Sequence, residues 1–307
     1  MKVYVIIVTY NGAPWIDKCL GSLRNSTIPL NVLVIDNNSA DNSRDLITQN
    51  FPEVELILSP ENLGFGRANN IGLKRVKDDK ANFAFLLNQD AWIEPNTIEI
   101  LVNNANKDKT FGILSPVHLD GSGNSLDFNF SKYLSPEFTN DFLSDAYVNN
   151  LKAIYSSKFA NAAAWLISLE CVEKLGGFDP IFPHYGEDDD YLNRLFFVNF
   201  KLGIVPSAKI CHDRINKPWA EMQFNLKRKV INNIGFLKNP KSSLRSNLLI
   251  LLKQHFDVLT SDLLFFKFKK FKVDFIAILK TLLYLRRVKK ARKRIYVELL
   301  DLNLNQN

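Results

Sequence analysis

The sequence contains little cysteine. Only Cys19, Cys171 and Cys211 occur among 307 residues; they lie far apart, and no two of them have CxxC spacing. Such a set fits neither a disulfide framework nor a thiolate metal site. We therefore expect a reducing, cytoplasmic compartment.

Long apolar runs are also missing. No segment reaches the roughly 18 uninterrupted apolar residues of a membrane span, and the best candidate, VDFIAILKTLLYL, is interrupted by Lys280. The apolar run in MKVYVIIVTYNG is only about seven residues long and has no small-residue cleavage site after it. We interpret it as a first β-strand and predict that the chain does not span a membrane.

Charge is distributed unevenly. The net charge is +7, but from residue 225 onward 19 Lys and Arg residues stand against 5 Asp and Glu residues. The first 224 residues hold the other 20 basic and 27 acidic side chains, so the two parts differ in sign. An acidic partner is therefore expected at the C-terminal part.

Strand-like and helix-like segments alternate through the first 120 residues. The strand-like segments are KVYVIIVTY, NVLVIDNN, VELILSP, NFAFLLNQD and FGILSPV. This order predicts an α/β fold with a Rossmann-like, mostly parallel sheet flanked by helices. Residues 121–160 lack a clean period, and residues after 224 are helical and basic in pattern. We divide the chain into a domain at 1–224 and a basic helical region at 225–307.

Three polar strand ends are expected to meet, because ligands bind at the carboxyl ends of parallel strands. They are Thr9-Tyr10-Asn11, Asp36-Asn37-Asn38 and Asn88-Gln89-Asp90. Asp36 suits a ribose hydroxyl or a pyrimidine N3–H; the alternative is a turn that it forms with Ser39. Asp90 suits a divalent cation beside a diphosphate, with a plain turn again as the alternative.

Two segments with charged side chains offer further candidates. NLGFGRANNIGL lacks the third glycine of a dinucleotide fingerprint, and it presents Arg67 either to a diphosphate or to solvent. In HYGEDDDYLNR, the carboxylates Glu187 to Asp190 begin a helix, where the helix dipole alone favours acids. A carboxyl in such a cluster has a raised pKa, which suits a general base. His212 ends a strand and either packs or completes a Mg²⁺ or Mn²⁺ site with Asp90.

Seven segments together resemble the bacterial family 2 glycosyltransferases over about residues 1–220. They are VIIVTYNG, VLVIDNNSADNS, NLGFGRANNIGL, FAFLLNQDAW, FANAAAWLIS, GGFDPIFPHYGEDDDYLNR and ICH. The resemblance implies the GT-A nucleotide-diphosphosugar transferase fold and transfer with inversion to a saccharide of a bacterial surface polysaccharide. The implied donor is a UDP- or dTDP-sugar, with dTDP-rhamnose as a candidate. The alternative is a catalytically silent relative that binds a nucleotide sugar or scaffolds partners.

The resemblance also implies residue roles. Asp188, with Glu187, corresponds to the catalytic base. Asp90 and His212 would hold Mg²⁺ or Mn²⁺, although Asn88 replaces the first Asp of the family's metal motif. The nucleotide-binding positions are Thr9, Tyr10, Asn11, Asp36, Asn38, Arg67 and Asn88. The acceptor side is predicted at Ala162, Ala163, Trp165 and Tyr185, with specificity also from residues 121–160 and Trp219.

The basic C-terminal segment FFKFKKFKVDFIAILKTLLYLRRVKKARKR interleaves apolar and cationic residues. This pattern predicts amphipathic helices on an anionic membrane surface, next to a lipid-linked acceptor. The alternatives are a solvated helical bundle and a contact between subunits of an oligomer. We expect no nucleic-acid partner, because no recognised motif for one is present. The expected location is peripheral, on the inner face of the cytoplasmic membrane.

Overall fold

The computed structural model describes residues 1–214 and 225–294. The strands within this part are β1 (Val3–Thr9), β2 (Asn31–Asp36), β3 (Glu55–Leu58), β4 (Phe83–Asn88), β5 (Ala91–Ile93), β6 (Phe111–Asp120), β7 (Tyr155–Ser157), β8 (Ala164–Ser168) and β9 (Lys201–His212). They form one sheet in the order β3-β2-β1-β4-β8-β6-β9-β5, with β7 also paired to β9.

Helices flank this sheet. Those before residue 214 are α1 (Ile16–Arg24), α2 (Ser43–Asn50), α3 (Phe65–Asp78), α4 (Thr97–Lys107), α5 (Phe128–Tyr133), α6 (Phe142–Tyr147), α7 (Leu169–Leu175) and α8 (Glu187–Phe197). Those after residue 225 are α9 (Leu226–Lys238), α10 (Leu244–Leu264), α11 (Phe268–Leu283) and α12 (Leu285–Lys293). The α/β fold with a helical C-terminal region is confirmed.

The parallel half of the sheet contains β3, β2, β1 and β4. Its central strand β1 is apolar along its length because both of its faces are covered. Tyr4 and Ile6 belong to one apolar cluster, whereas Val5 and Ile7 belong to the cluster on the opposite face. This is the packing that the alternating strand and helix segments predicted.

The other half of the sheet is mixed. β8 runs antiparallel between β4 and β6, while β6 and β9 are parallel. The predicted segment FGILSPV is therefore not a direct neighbour of β4, because a strand from later in the chain occupies that place. Residues 121–160 also contain regular structure, namely α5, α6 and β7. These pairings join distant parts of the sequence, so local patterns did not indicate them.

The helices after residue 225 pack around a third apolar cluster. It includes Ile231 and Ile234 of α9, Ile278 of α11 and Phe182 from the segment before α8. The C-terminal helices therefore contact the α/β part of the chain. No helix within the described residues is both long and apolar enough to cross a bilayer.

Candidate active site

The ends of β1 and β2 bring Thr9 and Asp36 side by side, since they are paired in register. Asp36 is fully buried, and its Oδ1 accepts hydrogen bonds from Ser39 N at 3.1 Å and Arg44 Nε at 2.6 Å. Its Oδ2 is also buried and has no hydrogen-bond partner among the described residues. A buried acceptor without a partner is costly unless a ligand donor reaches it. Asp36 therefore suits a donor such as a pyrimidine N3–H.

The loop after β1 is attached to the end of β4 by Gln89. Gln89 Oε1 accepts hydrogen bonds from Thr9 Oγ1 and from Tyr10 N, both at 2.8 Å. A Cβ added at Gly12 would lie 2.4 Å from the same Oε1, so any larger residue would displace the Gln89 side chain. The sequence analysis gave Gln89 no role. The close approach to Gly12 is visible only in the folded chain.

Two asparagines in these loops have left-handed backbone conformations. Asn11 has φ 50° and Asn38 has φ 67°, a region that asparagine tolerates better than most residues. Asn11 Oδ1 accepts from Ala40 N at 2.8 Å, and Asn38 Oδ1 accepts from Arg44 Nη2 at 3.3 Å. Both side chains thus hold the loops around Asp36 in place.

The N-terminal turn of α3 packs against the segment that leads into α8. Gly64 has φ 76°, and a Cβ there would lie 2.4 Å from Pro183 O. A Cβ at Gly66 would contact the Glu187 side chain at 3.8 Å. Arg67 follows in this turn, with Nη2 3.5 Å from Glu61. The predicted nucleotide-binding arginine and the predicted catalytic pair therefore lie on adjoining helix starts.

Asp90 and His212 meet at the end of β9. His212 Nε2 lies 3.3 Å from Asp90 Oδ1, and the Asn88 side-chain amide lies 3.5 Å from the same nitrogen. His212 is buried, and its Nδ1 finds no hydrogen-bond partner in the described part of the chain. That part contains no group of three or more His, Cys, Asp or Glu side chains able to hold a metal. The site offers one carboxylate and one imidazole.

Asp188 lies in the first turn of α8, which follows two left-handed residues, Tyr185 (φ 70°) and Gly186 (φ 84°). Its Oδ2 accepts a hydrogen bond from Ala162 N at 3.1 Å. Burial raises the pKa of Asp188 to about 8, and the neighbouring Glu187 carboxylate adds to the effect. Asp188 thus has the pKa of a group able to exchange a proton near neutral pH.

Glu187 is almost fully buried beside Asp188. Burial raises its pKa as well, and its Oε2 has no hydrogen-bond partner within the residues that the structure describes. The two acidic side chains lie in a poorly solvated position, where a second negative charge is unfavourable. The Glu187 carboxylate therefore makes Asp188 harder to ionise, and Asp189 has the same effect on Glu187.

Asp190 has a different environment from its acidic neighbours. Its Oδ2 accepts from Arg194 Nε at 2.9 Å, and its Oδ1 accepts from Lys238 Nζ at 2.6 Å. Burial alone would raise its pKa, but these two cations outweigh burial and lower the pKa. Lys238 also lies 3.2 Å from Asp179, which pairs with Arg294. Asp190 thus attaches α8 to the C-terminal helices.

Three of the predicted acceptor residues, Ala162, Ala163 and Tyr185, occupy two kinds of position. Ala162 and Ala163 are buried next to the site, since Ala162 N contacts Asp188 and Ala163 O accepts from Asn88 N at 2.9 Å. Tyr185 is half exposed and stacks under the Arg228 guanidinium, 5.6 Å from its ring centre. Trp219 lies outside the described residues.

Trp165 does not lie where the sequence analysis placed it. Its side chain is fully buried and packs against Phe178 and Tyr191, with ring centres 6.4 and 6.0 Å away. We therefore assign Trp165 to the core. The physical reason is that β8 is an inner strand, so both of its faces are covered.

Asp127 and Tyr133, within residues 121–160, together with His118 of β6 and Arg214 after β9, were not singled out as individual candidates from the sequence. Arg214 donates from Nε to Asp127 Oδ2 at 2.8 Å, and Asp127 also caps α5. Arg214 interacts electrostatically with Asp90 and with Tyr133, whose pKa burial raises to about 12. His118 stacks on Phe130, and its ring centre lies 5.9 Å from that of His212. Through Arg214 and His118, these side chains lie beside the candidate cation ligands Asp90 and His212.

A comparison with known families decides the affiliation of the chain. The sequence profile described as Glycosyl transferase family 2 matches residues 4–160, just over half of the chain. The chain belongs to glycosyltransferase family 2. The family match covers Asp36, Arg67 and Asp90, whereas Asp188 and His212 lie beyond it.

Related proteins agree with this affiliation. An N-acetylglucosaminyl-diphospho-decaprenol L-rhamnosyltransferase of Mycobacterium tuberculosis is 25% identical over 233 residues, 68% of this chain and 75% of the relative. The solved mannosyltransferase PcManGT of Pyrobaculum calidifontis superposes with a TM-score of 0.57 at 18% identity, covering 99% of this chain and 87% of that chain. TarS of S. aureus superposes with a TM-score of 0.55 at 14% identity, covering 80% and 68% of the two chains. These structural neighbours establish the GT-A fold for this family 2 member.

Proposed function

We propose that this chain is an inverting glycosyltransferase that moves a sugar from a nucleoside-diphosphate donor to a hydroxyl of a saccharide acceptor. The observation that best supports this is a continuous series of contacts. Asp188 contacts Ala162, Ala163 contacts Asn88, Asn88 contacts His212, and His212 lies 3.3 Å from Asp90. A carboxyl with a raised pKa is thus linked through the segment before β8 to two candidate cation ligands.

The donor side is the group around Asp36. Its partnerless Oδ2 suits the N3–H of uracil or thymine, which makes a UDP- or dTDP-sugar the expected donor. TarS was solved with UDP and with UDP-GlcNAc, and the mycobacterial relative is named as a rhamnosyltransferase. We therefore place dTDP-rhamnose first among the donors to test. The remaining nucleotide-binding positions are Thr9, Tyr10, Asn11, Asn38, Arg67 and Asn88.

The reaction is a single displacement at the anomeric carbon. The acceptor hydroxyl oxygen attacks this carbon, and the Asp188 carboxylate takes the proton from that hydroxyl. The bond from the anomeric carbon to the donor phosphate oxygen breaks, and the nucleoside diphosphate leaves on the opposite face with that electron pair. The new glycosidic bond therefore has inverted configuration. General-base catalysis of this kind contributes about 10²- to 10⁴-fold.

Asp90 and His212 fit a divalent cation, Mg²⁺ or Mn²⁺. Their ligand atoms lie 3.3 Å apart, so both can contact one ion, and a carboxylate with an imidazole suits either metal. The solved mannosyltransferase of P. calidifontis contains GDP-Man and Mn²⁺. Once bound, the cation would neutralise charge on the departing diphosphate. Because two protein ligands leave most of its coordination to other groups, we expect cation and nucleotide sugar to bind together.

The proposed acceptor is a saccharide carried by a lipid, within the synthesis of a bacterial surface polysaccharide such as O-antigen or capsule. The name of the mycobacterial relative includes N-acetylglucosaminyl-diphospho-decaprenol. Ala163 and Tyr185 lie on the proposed acceptor side. A peripheral position on the inner face of the cytoplasmic membrane would bring the chain to such an acceptor, and the basic C-terminal region suits an anionic surface.

One variant pair tests this proposal. Asp188→Asn should bind donor normally, measured by calorimetry, and lose transfer by at least about 10²-fold. The matched control is Asp189→Asn, since Asp189 is the exposed neighbour on α8. Donors are screened as UDP- and dTDP-sugars with Mg²⁺ or Mn²⁺. Near-normal turnover by Asp188→Asn would refute the base assignment. Donor binding with no turnover in the unaltered chain, across acceptors, would favour the silent relative.

A further inference from the structure

The hairpin formed by α10 and α11 exposes an apolar tip. α10 ends at Leu264 and α11 begins at Phe268, so three residues connect the two helices. Five large apolar side chains surround this turn and are 47 to 77% exposed: Leu263, Leu264, Phe265, Phe266 and Phe268. Single exposed apolar residues are ordinary, but five adjoining ones mark a binding surface. We call these five residues the hairpin tip.

The charge next to the hairpin tip is positive. Lys267, Lys269 and Lys272 are exposed. The acidic residues of this stretch, Asp262 and Asp274, are buried and both accept from Lys270 Nζ. The exposed charge between residues 262 and 274 therefore comes from lysine alone.

This combination selects one kind of partner. A two-fold symmetric contact between the tips of two copies would place lysines opposite lysines, which is unfavourable across an interface. An anionic lipid surface instead accepts the aromatic side chains among its headgroups and attracts each nearby lysine by about 1 kcal/mol. We propose that the hairpin tip inserts into an anionic lipid surface.

Contacts through α9 connect the helix that follows the tip to the segment before the candidate active site. Asp274 lies six residues into α11 from Phe268, about 9 Å along the helix. It forms an ion pair with Lys229 on α9, and the adjacent Arg228 stacks on the ring of Tyr185. Tyr185 precedes Glu187 by two residues. Asp274 of α11 and Tyr185, which precedes the catalytic carboxylates, thus contact neighbouring residues at the N-terminal end of α9.

The bound lipid surface would therefore lie near the acceptor side of the site. Resting on the proposed function, this assigns the acceptor to saccharides held at a membrane by a lipid, because such an acceptor presents its hydroxyls just above the headgroups. The rate of transfer to water-soluble saccharides should not depend on the tip. The tip thus affects the choice of acceptor without contacting the reacting atoms.

Vesicle sedimentation tests the insertion. The full chain should sediment with vesicles of phosphatidylcholine and phosphatidylglycerol but not with phosphatidylcholine alone. The double variant Phe265→Ser with Phe266→Ser should bind at least about tenfold more weakly, since two buried phenyl groups are removed. Both residues are exposed, so folding should be unaffected. The matched control is Tyr147→Ser with Leu249→Ser, two exposed apolar residues outside the tip, which should bind like the parent.

Several outcomes would overturn the proposal. Equal sedimentation of the tip variant and the parent would do so, as would equal binding to neutral and anionic vesicles. A dimer of the parent that the tip variant no longer forms would assign the surface to a second copy.

Membrane insertion of the tip and the proposed glycosyl transfer can be tested independently of each other. Asp188→Asn should sediment with anionic vesicles like the parent, so binding is measured without turnover. If the parent transfers sugar, the tip variant should transfer it to a water-soluble acceptor at the parental rate. Its transfer to a lipid-linked acceptor in anionic vesicles should be at least about tenfold slower than that of the parent. Equal loss on both acceptors would refute a membrane role for the tip.

Discussion

Asp188 and Asp190 lie two residues apart at the start of α8, yet we predict that replacing each with Asn changes stability in opposite directions. Burial and Glu187 raise the pKa of Asp188 to about 8. The ion pairs of Asp190 with Lys238 and Arg194 outweigh its burial and lower its pKa. The folded state therefore disfavours an ionised Asp188 and favours an ionised Asp190.

The magnitude for Asp188 follows from linkage. The folded chain holds this proton more tightly than the unfolded chain, so stability falls as pH rises from the ordinary value of 3.8 to about 8. One pKa unit corresponds to about 1.4 kcal/mol, so the interval between 3.8 and pH 7 gives about 4 kcal/mol. Because the carboxyl is partly exposed and its charge interacts with that of Glu187, we expect Asp188→Asn to gain about 2 kcal/mol.

The magnitude for Asp190 follows from its partners. Its stabilising effect is present above the ordinary value of 3.8 and is lost as pH falls through the lowered pKa. Asp190→Asn leaves two buried cations with one fewer counter-charge, which costs about 3 to 5 kcal/mol. This second variant is the matched control, because it makes the same chemical change on the same helix.

Urea unfolding near pH 5 and near pH 8 measures both effects. The gain of Asp188→Asn over the parent should be small near pH 5 and largest near pH 8. Asp190→Asn should be less stable than the parent at both values. A gain that does not change with pH, or an Asp188→Asn variant no more stable than the parent near pH 8, would refute the reasoning.

Further predictions concern the other parts of the site. Gly12→Ala should weaken nucleoside-diphosphate binding at least about tenfold, because the added Cβ would lie 2.4 Å from Gln89 Oε1 and displace that side chain. Gly21→Ala, in open space on α1, should instead raise the free energy of unfolding by about 1 kcal/mol. Asp36→Asn should cost about 1.5 to 3 kcal/mol of UDP or dTDP affinity by calorimetry, since an amide cannot replace the carboxylate; unchanged affinity would contradict this. Lys238→Met should lower the free energy of unfolding by about 3 kcal/mol or more, and a neutral effect would count against a buried ion pair. Transfer at limiting substrate should rise with pH and level off above about 8 as Asp188 ionises; a flat profile would exclude that role.

The grouping of three polar strand ends at one edge of the sheet could be predicted from local sequence. Thr9, Asp36 and Asn88 each end a strand of the parallel half, and parallel neighbours end at the same edge of the sheet. Strand identity and direction were sufficient to place these three residues together. The fold class followed from the same alternation of strands and helices.

Other features depend on pairings that no local pattern reveals. Trp165 was predicted at the acceptor side, but the insertion of β8 between β4 and β6 buries it. Gln89 has no distinctive sequence signal, because its role comes from the close approach of the loop after β1. Lys238 belongs to a segment whose composition indicates a solvated surface, and burial of such a residue occurs only with counter-charges.

The buried ion pairs of Lys238 have a consequence for how this protein can evolve. Asp179 and Asp190 precede residue 224, whereas their counter-charges Lys238 and Arg294 follow it. Recombination between relatives near residue 224 would separate Asp179 from both of its cations and would leave Asp190 with Arg194 alone. A replacement C-terminal segment would be tolerated only if it supplied cations at both positions. Segments exchanged at this point must therefore match at these charged positions.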